Sequence, residues 1–195
     1  MFTGIISEVG TVREAGRRLT IEAPLTAARL AIGGSVAING VCVTATATDT
    51  TAFSADLVDE TLARSNLGEL KADSHVNLEL PLKAGDPLDG HLVLGHIDGV
   101  GTVRSSRDVD VGREVTIELP SELAHLVAEK GSVAVDGTSL TVTGEDGASF
   151  GVALIPHTLQ NTIAGNYRPG TSVNLEVDVL ARYVERLVRP GIGKR

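Results

Sequence analysis

Gly34-Ser-Val-Ala-Ile-Asn-Gly-Val-Cys-Val-Thr-Ala-Thr46 decides the architecture, because the chain writes it twice. Gly131-Ser-Val-Ala-Val-Asp-Gly-Thr-Ser-Leu-Thr-Val-Thr143 repeats it at an offset of 97 (131 − 34). Each copy places Asn-Gly or Asp-Gly between two alternating apolar runs, the strongest short-range signal for a tight β-hairpin. Side chains alternate along a strand, so the second arm has two faces. Val41, Val43 and Ala45 share one face, and Cys42, Thr44 and Thr46 the other. In the second copy Thr138, Leu140 and Val142 oppose Ser139, Thr141 and Thr143. Two matched rows of small polar side chains result, one led by a thiol and one by a hydroxyl.

The repeat extends outward from these hairpins. Gly4-Ile-Ile-Ser-Glu-Val-Gly-Thr-Val12 answers to Gly95-His-Ile-Asp-Gly-Val-Gly-Thr-Val103, here at an offset of 91 (95 − 4). The change of offset falls around Ser105–Arg113, which reads as a polar hairpin loop longer than its counterpart near Glu14–Arg18. From Phe53 and Phe150 onward the copies run without a gap, through Thr61-Leu62 and Thr158-Leu159 to Val76-Asn-Leu-Glu79 and Val173-Asn-Leu-Glu176. A unit of about ninety residues present twice is a duplicated domain and not a solenoid.

Within a unit the pattern predicts strands at Thr11–Arg13, Leu19–Glu22, both arms of the hairpin, Phe53–Val58 and Val76–Leu80. The second copy predicts them at Thr102–Arg104, Glu114–Leu119, Phe150–Ile155 and Val173–Val177. Short helices are expected at Pro24–Ala31, Glu60–Leu67, Ser121–Lys130 and Pro156–Ala164, with Gly68 and Gly165 as C′ residues. This element order suggests a small closed antiparallel barrel per unit. Pro81–Gly90, rich in Pro, Gly and Asp, is the seam. The expected domains are therefore residues 1–90, 91–178 and 179–195. The last begins with Val179–Val188, where Leu180, Tyr183, Val184 and Leu187 share a helical face that packs on its own barrel or joins subunits. Pro190–Arg195 reads as a disordered tail.

Composition supports this picture. Aromatics make up 3% of the chain and Gly numbers 22, favouring short strands and turns over a helix bundle. One cysteine excludes an intrachain disulfide and fits a reducing compartment. A net charge of −8 argues against a nucleic-acid surface. No apolar run approaches the ~18 residues of a membrane span, and the start has no signal-peptide pattern. A cytoplasmic protein is expected.

Cys42 and Ser139 occupy equivalent slots; a lone cysteine is more often an inert small hydrophobe than a nucleophile, and a strand serine is often only locally bonded. His96 replaces Ile5, His157 replaces Glu60, and Asp178 replaces Pro81. His91 and His96 lack a metal-ligand pattern, and Gly99-Val-Gly101 leads into a strand, so no dinucleotide fingerprint is present. The residues alone give a duplicated β-barrel with paired small-molecule pockets.

Met1-Phe-Thr-Gly-Ile-Ile6, Asn39-Gly-Val-Cys-Val-Thr44, Gly90-His-Leu-Val-Leu-Gly-His-Ile-Asp98, Asp136-Gly-Thr-Ser-Leu-Thr141 and Ile155-Pro-His-Thr-Leu159 together resemble riboflavin synthase, alpha chain. The resemblance implies an all-β chain of two tandem six-stranded antiparallel Greek-key barrels from an internal duplication, with a C-terminal α-helix that holds a homotrimer. It implies a dismutation of two 6,7-dimethyl-8-ribityllumazine molecules to riboflavin and 5-amino-6-(ribitylamino)pyrimidinedione. No cofactor and no metal are called for, and lumazine synthase is an implied partner.

The resemblance further implies ring contacts from Gly4, Ile5 and Ile6, from Cys42, Val43 and Thr44, and from Asp56, Leu57, Val58, Asp59, Glu60 and Thr61 in the first barrel. In the second it implies Gly95, His96 and Ile97, then Ser139, Leu140 and Thr141, then Ala153, Leu154, Ile155, Pro156, His157 and Thr158. Lys130 would reach across the subunit interface, and Ser139, His96, Cys42, Asp178 and Phe2 match positions tied to turnover. The alternative is a non-catalytic lumazine or flavin antenna protein with the same double barrel. Retention of His96, Ser139, Thr141 and Asp178 in the second copy favours the enzyme.

Overall fold

A computed structural model describes residues 1–188. Strands β1 (Glu8–Glu14), β2 (Arg18–Glu22), β3 (Ser35–Ile38), β4 (Val41–Thr48), β5 (Ala52–Asp56) and β6 (His75–Glu79) close a barrel in the order β1-β2-β5-β4-β3-β6. Strands β7 (Gly99–Asp108), β8 (Arg113–Glu118), β9 (Ser132–Val135), β10 (Thr138–Glu145), β11 (Ser149–Leu154) and β12 (Ser172–Val177) close a second with the same cyclic order. All pairings are antiparallel. The jump from β2 to β5 is the Greek-key crossing, and closure leaves no sheet edge unpaired.

Alternation decides what fills each barrel. Val41, Val43 and Ala45 point inward with Val12, Ile21, Phe53 and Leu78, while Val115, Ile117, Leu140, Val142, Phe150 and Leu175 fill the second barrel. The polar rows led by Cys42 and Ser139 face outward, as their spacing predicts.

The two hairpin turns meet at the pseudo-two-fold between the barrels. Asn39 and Gly40 take φ of 45° and 79°, and Asp136 and Gly137 take 44° and 77°, the paired positive values of a type I′ turn. A Cβ on either glycine would lie 2.7 Å from the other's backbone nitrogen, so glycine serves both the turn and the contact. The repeated Val-Asn-Leu-Glu motif supplies the bridge. Asn77 Nδ2 donates to the Asp136 carbonyl and Asn174 Nδ2 to the Asn39 carbonyl, each at 2.9 Å. Both amides are fully buried, and their Oδ1 atoms accept from Ile163 N and Asn66 N. Such satisfied buried amides fix one register between barrels.

Three expectations change. The helices are shorter: α1 (Pro24–Ala27), α2 (Asp59–Arg64) and α3 (Pro156–Asn161) are brief, and Ser121–Leu126 is a 3₁₀ turn. Short amphipathic segments gain little from propensity, so the available barrel face sets their length. Gly68 and Gly165 lie within 3₁₀ turns (Asn66–Glu69, Ile163–Asn166) and not at C′ positions. Each packs against the preceding helix, where a Cβ would strike the Leu62 or Leu159 carbonyl. The polar segment Ser105–Arg113 is mostly strand, pairing Ser105 with Thr116 through Asp108 with Arg113. Cross-strand pairs Arg107–Glu114 and Arg113–Asp108 accompany this extension.

Helix α4 (Val179–Val188) follows β12, and the tail Pro190–Arg195 lies outside the described residues. The polar side of α4 faces its own barrel: Arg182 pairs with Asp98 at 2.7 Å and Glu185 with His125 at 2.9 Å. Its apolar row is uncovered in the chain, with Leu180, Tyr183, Val184 and Leu187 each more than half exposed. Among the described residues, no helix is long and apolar enough to cross a membrane.

Candidate active site

Each outward polar row is met by a segment of the other copy. The carbonyl of Gly95 accepts from Cys42 N at 3.0 Å, and the carbonyl of Gly4 accepts from Ser139 N at 2.8 Å. Repeat alignment pairs Gly4–Ile6 with the Cys42 row and Gly95–Ile97 with the Ser139 row. The structure exchanges them. The cause lies in two buried carboxylates. Glu79 Oε1 accepts from Thr3 N at 2.7 Å and Glu79 Oε2 from Gly4 N at 2.9 Å. Glu176 accepts from Leu94 N, Gly95 N and His96 N at 2.7, 2.9 and 3.1 Å. With their amides tied to one barrel, the segments present their carbonyls to the other. Burial pushes both carboxyls up from the ordinary range, and the donated amide hydrogens oppose it.

Cys42 lines a cleft of about 260 Å³ with Glu60, Thr61, Arg64 and Ser65 of its own copy and Gly95, His96 and Ile97 of the other. Glu60 is paired with Arg64 along α2. His96 is exposed, and its backbone is braced from the far side by Arg182, whose Nη2 donates to the His96 carbonyl at 2.9 Å. Arg182→Ala is expected to speed amide exchange across α4 and Gly95–Asp98 by about tenfold (~1.4 kcal/mol); unchanged exchange would remove the brace.

In the second barrel Ser139 is half-buried and Thr141 exposed, with His157 exposed on the first turn of α3. Pro156 stands at the first position of that helix, and His157 Nδ1 lies 3.3 Å from Asn161 Nδ2. Ile5, next to Gly4, and Val58 and Ile155, at the starts of α2 and α3, are exposed apolar side chains, at 48%, 64% and 58%. An outward polar row beside uncovered aliphatic groups suits a flat, partly polar heterocycle.

The Lumazine binding domain model matches the chain twice, at residues 3–81 and 94–178. The riboflavin synthase of Mycobacterium tuberculosis (strain ATCC 25618 / H37Rv) is 48% identical over 198 residues, covering 97% of this chain and 98% of its own. That of Actinobacillus pleuropneumoniae is 40% identical, covering 96% and 90%. The chain belongs to the riboflavin synthase family.

It is an enzyme of that family, and the antenna alternative is the weaker reading. The structure of LumP complexed with riboflavin superposes with a TM-score of 0.85, covering 91% of this chain and 99% of its own. Its sequence identity is 22%, so it supports the double-barrel fold alone.

In this riboflavin synthase family member several candidates turn away from the pockets. Val43, Leu57, Leu140 and Leu154 are core side chains with at most 9% exposure, leaving only backbone to a ligand. Phe2 is fully buried between the barrels with Ala37, Val93 and Ala134. Its backbone pairs with Val93 (N to O 2.7 Å, return bond 3.1 Å), so its role is to place the segment that follows. Asp178 accepts from Leu180 N at 2.9 Å and opens α4. Lys130 is exposed, at φ 68° in the turn before β9. Thr44, Asp56, Asp59 and Glu60 are exposed, with Asp59 paired to Arg17 and Glu60 to Arg64. One residue was missed: His91, read only as a non-ligand, is buried with Nδ1 hydrogen-bonded to Ser139 Oγ at 2.7 Å. Its signal was a histidine in a polar linker, which alternation and repeat alignment do not interpret.

Proposed function

We propose that the two pockets each hold one 6,7-dimethyl-8-ribityllumazine and that the enzyme passes a four-carbon unit between them, releasing riboflavin and 5-amino-6-(ribitylamino)pyrimidinedione. The observation that carries this reading is the pair of equivalent outward rows, each met by a segment of the other copy but with unlike reactive edges: Cys42 shares a cleft with His96, and Ser139 is hydrogen-bonded to His91. Two identical substrates need two similar seats, while a donor and an acceptor need different chemistry. Holding both rings face to face removes much of the entropic barrier, and positioned acid–base groups serve the proton transfers.

Turnover is expected when the purified protein meets the lumazine alone, followed by the growth of riboflavin absorbance. Tight binding with no riboflavin would overturn the reading in favour of the antenna class. The rings meet where the first pocket of one subunit faces the second pocket of another in a homotrimer. The uncovered row Leu180, Tyr183, Val184 and Leu187 supports this, since an exposed apolar stripe marks an interface. Leu187→Glu is expected to lower the sedimenting mass and the turnover together; a fully active monomer would refute the shared site. A cytoplasmic location and association with lumazine synthase, both implied by family resemblance, complete the proposal.

A further inference from the structure

The linker that joins the barrels brings a histidine behind one reactive side chain. His91 N donates to the Thr3 carbonyl at 3.1 Å, laying the linker against the start of the chain. Gly90 passes so close that a Cβ there would strike the Thr3 carbonyl and approach Ser139 Oγ to 3.1 Å. This path holds the imidazole of His91 at 8% exposure, with Nδ1 2.7 Å from Ser139 Oγ. The equivalent Cys42 makes no side-chain hydrogen bond among the described residues, and the histidine of its pocket, His96, is exposed. The two outward rows thus differ in more than thiol against hydroxyl: only the hydroxyl has a buried imidazole hydrogen-bonded to it among the described residues.

A purely structural hydrogen bond to Ser139 needs no imidazole. His91 Nε2 is buried and has no hydrogen-bond partner among the described residues. An unpartnered buried polar atom disfavours folding, and its persistence points to a role for the ring. Burial lowers the pKa of His91 from its ordinary value, with the negative charge of Asp178 opposing. With the Ser139 hydroxyl donating, Nδ1 is the acceptor of this bond, the arrangement in which the ring can take up the hydroxyl proton.

We propose that His91 is a positioning residue that draws the hydroxyl proton of Ser139, making Ser139 the base that removes a ring-methyl proton from the lumazine in the second-barrel pocket. This rests on the riboflavin synthase reading. In the step, the methyl C–H bond breaks and its proton goes to Ser139 Oγ. The Ser139 O–H proton passes to His91 Nδ1, and the electron pair stays on the conjugated ring system. The imidazolium so formed is offset by the charge of Asp178, and reversal of the relay later returns the proton. No oxidant or co-reactant is consumed.

The test compares the full chain with His91→Gln, Ser139→Ala and the double variant in two assays. One measures riboflavin formation, and the other follows deuterium uptake into the lumazine ring methyl by proton NMR, above the rate in buffer. His91→Gln is expected to lower kcat and deuterium uptake together by about 10²–10⁴-fold, with lumazine binding by fluorescence titration within about twofold. The double variant is expected to be no slower than the slower single variant, because the two residues act as a unit. Undiminished uptake in His91→Gln, or losses that multiply in the double variant, would overturn the proposal. So would a rise in KM with kcat unchanged, the mark of a structural role. A parent protein that neither forms riboflavin nor speeds uptake would overturn the enzyme reading and this inference with it. A parent active in both assays with an unimpaired His91→Gln would sink this inference alone.

Discussion

Gly4→Ala and Gly95→Ala are each expected to cut turnover by about a hundredfold while leaving both barrels folded. At Gly4 an added Cβ would lie 2.6 Å from Ser139 Cβ and 2.7 Å from Ser139 N; at Gly95 it would lie 2.5 Å from Cys42 Cβ and 2.8 Å from Cys42 N. Both glycines also sit at positive φ, 78° and 81°, where an L side chain is strained by about 1–3 kcal/mol. Neither neighbour can yield, because Cys42 and Ser139 are fixed in their hairpins by pairing with Ala37 and Ala134. The crossing segment must therefore retreat from the pocket by something on the order of an ångström, a displacement that costs about 10²-fold when it separates reacting groups. Turnover measured beside urea unfolding checks this. A variant with normal rates would show that these segments are not pocket walls, and a variant that fails to fold would assign the glycines to stability.

The second large effect concerns stability. Asp136→Asn is expected to remove a pH-dependent destabilisation of up to about 3 kcal/mol. Asp136 is 1% exposed and accepts from Asn174 N at 2.8 Å, Asn66 Nδ2 at 2.9 Å and the Tyr167 hydroxyl at 2.7 Å. Burial pushes its carboxyl up to about 6, from an ordinary value of 3.8, despite those three donors. A carboxyl with a raised folded-state pKa favours the folded state most when protonated. Its contribution is complete below about pH 4 and is lost as pH rises through about 6. The difference between those two values corresponds to about 3 kcal/mol. Asn39 occupies the matching turn of the first barrel, so the amide fits this geometry. The amide forfeits part of the carboxyl's acceptor capacity, a cost that does not vary with pH. The diagnostic quantity is the parent-minus-variant difference in unfolding free energy at about pH 4 and about pH 7. It should fall by about 2.4 kcal/mol on going to the higher pH, and a constant difference would show that Asp136 titrates normally.

Particular residues show what could be read in advance. The Asn-Gly and Asp-Gly turns and the inward rows Val41, Val43, Ala45 and Leu140, Val142 follow from strand alternation, and the structure keeps them. Cys42 and Ser139 were legible as outward-facing equivalents for the same reason. The Asn and Glu of the repeated Val-Asn-Leu-Glu motif were visible only as a repetition. Their use lies between barrels: Asn77 and Asn174 bridge the turns, while Glu79 and Glu176 hold the crossing segments. Alignment of two copies identifies equivalent positions but not neighbours, so Gly4 was grouped with Cys42 when it lies against Ser139.

The sequence by itself determined the duplication, the hairpins, the inward and outward faces and the family, because each is a local pattern or a direct match of residues. Only the tertiary structure decided that the outward row of each copy meets a segment of the other and that His91 stands behind Ser139. Those facts depend on where buried carboxylates anchor free amides and on the path of a linker without periodicity. Residues 91 and 139 meet through that path, and nothing in their spacing announces it.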